Sequence, residues 1–193
     1  MKKLFLLMAC CFMMLSMVSF AQEDAAANDM MKAWTDYMTP GAVHEMLASC
    51  NGAWKTTATM WQAPNMEPVV GEGTTMNEMI LGGRYQKSSY KGEMMGMPFE
   101  GVNTLAYDNA TKEFISTWID NMGTGMMICK GKYNEDEKMV EMNGTYVDPM
   151  SKTEKPFRET FKLVDNDHQV LEMYVNDDNG DEFMTMKIEY TRQ

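Results

Sequence analysis

The spacing of apolar and polar positions changes period once along this chain. Between Asp29 and Asn51 the apolar residues recur every three or four positions: Met30, Trp34, Tyr37 and Met38 share one helical face, and Val43, Met46 and Leu47 share another. Asp29 can cap the first helix, while Thr39 and Pro40 supply a cap and a first-turn residue for the second. From Gly52 onward the period becomes two. Strands are predicted near 53–62, 69–79, 84–92, 99–108, 113–121, 125–134, 138–148, 156–164, 169–176 and 182–192. Turn-forming residues separate them: Pro64-Asn65, Leu81-Gly82-Gly83, Gly96 with Pro98, Asp108-Asn109, Asn121 to Gly125, Asn134 to Glu137, Asp148-Pro149, Asp165-Asn166-Asp167 and Asp177 to Gly180.

Ten evenly spaced strands with short connections predict antiparallel neighbours in sequence order. A sheet of that size curls, and closure removes its exposed edges. An up-and-down all-β barrel with two N-terminal helices, packed on it or closing it, is therefore expected in preference to a sandwich. The absence of crossover helices between the strands excludes a parallel sheet. In the final strand Met184, Met186, Ile188 and Tyr190 make an apolar face opposite Thr185, Lys187, Glu189 and Thr191, and Arg192 continues the apolar side.

The first 21 residues read as a secretory signal: Lys2 and Lys3, an apolar run, then Ser19-Phe20-Ala21 before Gln22. Leu7-Met8-Ala9-Cys10 is a rival lipidation box in a poor position, since the apolar run continues past it. The expected organisation is a leader at 1–21, a mobile polar and alanine-rich lead-in at 22–28, and one domain at 29–193. Export to the periplasm or the cell exterior follows from the leader, with no membrane span left after its removal.

Charge narrows the partners. The chain carries a net charge of -11, and removing the leader with its two lysines takes this to about -13. Such a surface repels phosphate backbones, so nucleic acid is not an expected partner. Two cysteines, Cys50 and Cys129, lie beyond the leader; they either pair in an oxidising compartment or stand as separate buried thiols. Their spacing excludes a cysteine-based zinc site.

Gly52-Ala53-Trp54 at the start of the first strand, with Arg192 on the last, resembles the lipocalin and wider calycin pattern. The resemblance implies that Trp54 closes the barrel floor and that Arg192 stacks across it, a planar cation over an aromatic face. The segments MMKAWTDYMTPG at 30–41, MILGGRYQ at 79–86, GMPFEG at 96–101, YDNATKEFISTWIDNMGTG at 107–125 and IEYTR at 188–192 resemble the bacterial family called domain of unknown function 1579. That likeness implies a lipocalin-like barrel and no assigned reaction.

Candidate chemistry is sparse. His44 and His168 are the two histidines, read as helix-surface and turn residues, so no base serves a nucleophile and no strand offers a haem ligand. No cofactor or metal is expected; Asp177 to Glu182 lacks the spacing of a calcium loop. Strand carboxylates are Glu100, Asp120, Glu141, Glu159 and Glu172. In the central strand Phe114, Ser116, Trp118 and Asp120 form one face and Ile115, Thr117 and Ile119 the other; either can point inward. With the mixed face inward, Trp118 and Asp120 line a cavity and Arg84 is the counter-charge for Asp120.

The candidate ligand contacts are Arg84, Tyr85, Tyr90, Glu100, Trp118 and Asp120, although Tyr85 and Tyr90 have opposite parity. The chain is also rich in methionine, with 25 residues. These can replace leucine in the core, form a deformable rim around a ligand, or hold copper(I). The leading expectation is a cavity for a small, largely apolar molecule. The alternative is an isomerase or hydrolase of a small hydrophobic substrate with Asp120 or Glu100 as acid or base; a third is assembly through the outer face. An apolar cavity with a matched ion pair would favour binding, and an unpaired inward carboxylate would favour catalysis.

Overall fold

The computed structural model describes residues 26–193. The expected leader at 1–21 and most of the expected lead-in at 22–28 lie outside the described residues. Helix α1 spans 26–38, so Ala26, Ala27 and Asn28, expected in the lead-in, are already helical. It belongs to one compact unit, and Pro40–Gln193 forms another. Within α1, Trp34 and Tyr37 meet edge to face with ring centroids 6.0 Å apart.

The second unit opens with α2 (Ala42–Ser49). Its cap is Gly41 and not Thr39. The Thr39 hydroxyl instead donates to Thr35 O at the end of α1, and Gly41 N–H donates to His44 Nδ1 at 3.1 Å. His44 is consequently buried and not on the helix surface. Its ring packs edge to face on Tyr107, and burial lowers its pKa, in keeping with a ring nitrogen that accepts a hydrogen bond.

Ten strands follow: β1 (Gly52–Met60), β2 (Val69–Ile80), β3 (Tyr85–Met94), β4 (Met97–Asp108), β5 (Glu113–Asp120), β6 (Met127–Asn134), β7 (Met139–Asp148), β8 (Thr153–Leu163), β9 (His168–Asn176) and β10 (Glu182–Arg192). Each pairs with its neighbours in sequence, and β1 pairs with β10 to close the barrel. The closing seam runs from Trp54 opposite Arg192 to Met60 opposite Met186. The fold is therefore the up-and-down barrel that the period-two pattern predicts.

The largest boundary difference is at β8, which starts at Thr153, ahead of Pro156. Proline cannot donate to a ladder, but β9 joins β8 only at Phe157. Pro156 therefore sits where β7 is the sole partner, and its missing N–H has no second strand to serve. β4 likewise begins at Met97, ahead of Pro98, which pairs with Glu93 before β5 joins at Gly101.

α2 covers one end of the barrel. Leu47 joins Leu105, Phe114, Cys129, Val140, Met142 and Phe157 in a buried apolar cluster. The last carbonyls of α2 and the turn after it, which have no partner within the helix, are met by the barrel. Gln86 Nε2 donates to Leu47 O at 2.6 Å, Trp54 Nε1 to Cys50 O at 2.9 Å, and Asn77 Nδ2 to Cys50 O at 3.3 Å. Arg192 donates to Ser49 O at 2.8 Å, Asn51 O at 2.9 Å and Asn166 O at 2.9 Å. Its guanidinium lies 4.3 Å from the centroid of the fully buried Trp54 ring, and Asp167 is 3.3 Å from its Nε. One end is thus sealed by a helix held by backbone acceptors and a cation on an indole.

Candidate functional site

Above that floor the barrel is hollow. The cavity has a volume of about 290 Å³, at the lower edge of the ~300–1,000 Å³ range of small-molecule sites. Its wall is set by strand parity: Gln86, Ser88 and Tyr90 from β3, Asn103 and Leu105 from β4, Ser116, Trp118 and Asp120 from β5, and alternate residues of the other strands. The mixed face of β5 is the inward one. Ile119, on its other face, is 44% exposed.

Three glycines shape the lumen. A Cβ on Gly101 would fall 2.2 Å from the Trp118 ring, and one on Gly73 or Gly92 would fall 2.4 Å from the Tyr90 hydroxyl. Both rings therefore lie flat along the wall over positions without side chains, which keeps the centre open. Gly101→Ala is expected to push Trp118 toward the lumen. Affinity for any neutral aromatic probe that enters the parent barrel should fall about tenfold, from roughly 1–3 kcal/mol of overpacking. A fluorescence titration checks this, and unchanged affinity would mean that the indole finds room elsewhere.

Several of the predicted contacts occupy the wall and others do not. Tyr90, Trp118 and Asp120 line the cavity. Arg84, Tyr85 and Glu100 do not. Arg84 lies in the turn before β3, exposed, with its guanidinium folded back on Leu81 O at 3.1 Å. Tyr85 has the parity opposite to buried Gln86 and points outward. Glu100 alternates with Phe99 and faces solvent, 3.3 Å from Lys91. The expected Arg84–Asp120 pair is not formed. Asp120 instead accepts from Trp118 Nε1 at 2.8 Å and from the N–H groups of Met122 and Gly123 at 2.9 and 3.1 Å.

Glu159 on β8 is one of the strand carboxylates named from the sequence but is not among the candidate ligand contacts. It lines the cavity opposite Met142 of β7 and Met173 of β9. Among the described residues it makes no hydrogen bond or ion pair, and burial alone pushes its carboxyl up from 4.5 to about 7. Tyr190 of β10 and Cys129 of β6 share its surroundings, and the pKa of each is raised by burial first and by the charge of Glu159 second. Its sequence signal is the run Phe157-Arg-Glu-Thr-Phe161: a glutamate two residues from a phenylalanine on each side, on the apolar face.

A short polar line crosses the wall beside it. Asn103 Nδ2 donates to Ser116 Oγ at 2.6 Å, and Ser116 contacts the Cys129 thiol. Cys129 and Cys50 are both buried, unbonded thiols. Cys129 is pushed up to about 12 from 9.0, so the reactive thiolate is depleted about a thousandfold. An aromatic disulfide reagent at pH 8 should accordingly label Cys129 far more slowly in the native protein than in the unfolded one, and equally rapid labelling of both would contradict the raised thiol pKa. Met142 is 1% exposed in the core cluster and also lines the cavity, as do Met60, Met94, Met127, Met173 and Met186, while others such as Met95 and Met150 are exposed.

The family model described as "Protein of unknown function (DUF1579)" matches residues 39–192. The chain belongs to this family. No curated protein sequence matches it. Among solved structures it is similar to Rv2717c from M. tuberculosis, with a TM-score of 0.59 and 12% identity over 80% of this chain and 99% of that one. It is also similar to the S-type phycobiliprotein lyase CPES from Guillardia theta, with a TM-score of 0.52 and 10% identity over 82% and 96%. At such identities the likeness shows the barrel fold alone. Among the described residues no helix is long and apolar enough to cross a membrane.

Proposed function

We propose that this protein is exported, to the periplasm or the cell exterior, and holds one small, largely apolar molecule inside the barrel. The observation that carries the reading is the hollow interior of about 290 Å³, walled mainly by methionine, aromatic and aliphatic groups with a few inward polar atoms. A barrel built only for stability would fill its interior with side chains. Export rests on the leader pattern at 1–21.

Native mass spectrometry of the protein purified from its own host tests both parts. The protein mass is expected to correspond to a chain beginning at Gln22, and a noncovalent adduct is expected to dissociate in the gas phase. Bare protein that also fails to take up apolar probes would overturn the binding reading, and an uncleaved chain would overturn export.

A second reading is favoured by Glu159. An inward carboxylate without a partner and with a pKa near 7 has the protonation behaviour of a general acid or base. On this reading the protein is an isomerase or hydrolase of a small hydrophobic substrate, with Glu159 in the role expected of Asp120 or Glu100. Incubating the recovered molecule with the protein and following it by chromatography separates the two. A compound returned unchanged supports a carrier, and conversion that disappears in Glu159→Gln supports an enzyme.

A further inference from the structure

The charge inside the barrel has one sign. Of the residues lining the cavity, Glu93, Asp120 and Glu159 carry carboxylates, and none is lysine, arginine or histidine. The three acids differ in circumstance. Glu93 is exposed near the β3–β4 turn, and Asp120 accepts from the Trp118 indole and two backbone N–H groups. Glu93 is open to solvent, so Glu159 is the carboxylate held inside the barrel without a hydrogen bond or ion pair among the described residues; the cavity-lining Asn77 Oδ1 is also unpaired. A carboxylate in that position is costly unless a cation or donor meets it.

We infer that the occupant is a small apolar molecule bearing a protonated amine, its ammonium group held against Glu159 and its body against the methionine and aromatic wall. The inference rests on the binding reading and adds the ligand's charge. The aromatic faces of Tyr90 and Trp118 also suit a cation. An anion is disfavoured both by the lumen and by the net charge of -11. Fatty-acid-like molecules are thus disfavoured although the wall is apolar enough to hold them.

The groups around Glu159 fix the expected pH response. Met142 of β7, Met173 of β9, and Phe157 and Phe161 of β8 are uncharged; the titratable groups facing the same lumen are Cys129 of β6, Tyr190 of β10, Tyr90 and Glu93 of β3, and Asp120 of β5. None adds positive charge. In the empty barrel burial holds a proton on Glu159 up to about pH 7, so an ammonium ion should bind more tightly as the pH rises from 6 to 8.

Three probes with one apolar body and different charge test this: 2-naphthylmethylamine, 2-naphthalenemethanol and 2-naphthoic acid, titrated by fluorescence into the full chain. At pH 8 the amine is expected to bind at least about tenfold tighter than the alcohol, as one charge-assisted contact would give, and the acid weakest. The amine should weaken toward pH 6 while the alcohol stays level. Glu159→Gln should erase the amine's advantage and keep alcohol binding, which also reports an intact barrel. Glu100→Gln should keep the advantage, because that carboxylate faces solvent beside Lys91. If the alcohol binds as well as the amine, or Glu159→Gln leaves the preference in place, the ammonium assignment is wrong and the apolar cavity stands. If none of the three binds, the binding reading falls as well.

Discussion

Arg192→Ala is expected to lower the unfolding free energy by roughly 2–4 kcal/mol, which is a large share of the stability of a single domain. The side chain donates to Ser49 O, Asn51 O and Asn166 O and stacks on Trp54. Truncation removes the stacked cation and leaves carbonyls at the end of α2 and in the adjoining turn without their donors. Its proximity to Asp167 contributes little, because that carboxylate is exposed and screened. Arg192→Lys should recover less than half of the loss, since an ammonium group cannot span three acceptors while lying flat on an indole. Urea denaturation of both variants measures this. A lysine variant as stable as the parent would mean that charge alone, and not the planar fork, secures the floor.

Glu159→Gln is expected to move stability in the other direction, and only on the alkaline side. The folded carboxyl sits near 7 and the unfolded one at 4.5, so folding binds a proton between those values. The stabilisation from the neutral acid is complete below about pH 4.5 and is lost as the pH rises through 7. At about 1.4 kcal/mol for each tenfold in proton affinity, the whole difference amounts to roughly 3–4 kcal/mol. The variant should therefore gain on the parent by about 2–3 kcal/mol between pH 5 and pH 8, as the parent takes on a buried charge and the amide does not. Denaturation curves for the two proteins at both pH values give the gap directly. A gap that does not change with pH would show that Glu159 is solvated or paired, and would remove the basis for the cationic ligand as well.

Much of the barrel was legible because its turns use residues with one conformational purpose. Leu81-Gly82-Gly83, Met95-Gly96 and Gly180 adopt positive φ at or beside the predicted breaks. Parity grouped residues without choosing the inward face: Gln86 and Tyr90 must share a face and Tyr85 must not, yet either face of β5 could point inward. Arg84 was misplaced because a one-residue error in a turn decides whether a side chain joins a strand at all. With Arg84 outside, Asp120 is met by the Trp118 indole two residues away, a local contact that a search for counter-charges does not consider. His44 was read as surface because its helix shows a short apolar stripe, and the capping role that draws it inward depends on Gly41 and not on Thr39. Glu159 stands among the strand carboxylates but not among the candidate contacts for a related reason: a glutamate among charged neighbours in TEKPFRETFKL reads as solvated unless strand register is fixed first.

The seam between β1 and β10 has a consequence for how the chain reaches this state. Every other pairing joins strands adjacent in sequence, whereas Arg192 meets Asn51 across 141 positions. Hairpins can assemble one after another along the chain, but the ring cannot shut before β10 is in place. Until then the growing sheet keeps two bare rims able to accept a foreign strand. Ring closure, which removes both rims at once, is thus the step that takes away the template for a foreign strand.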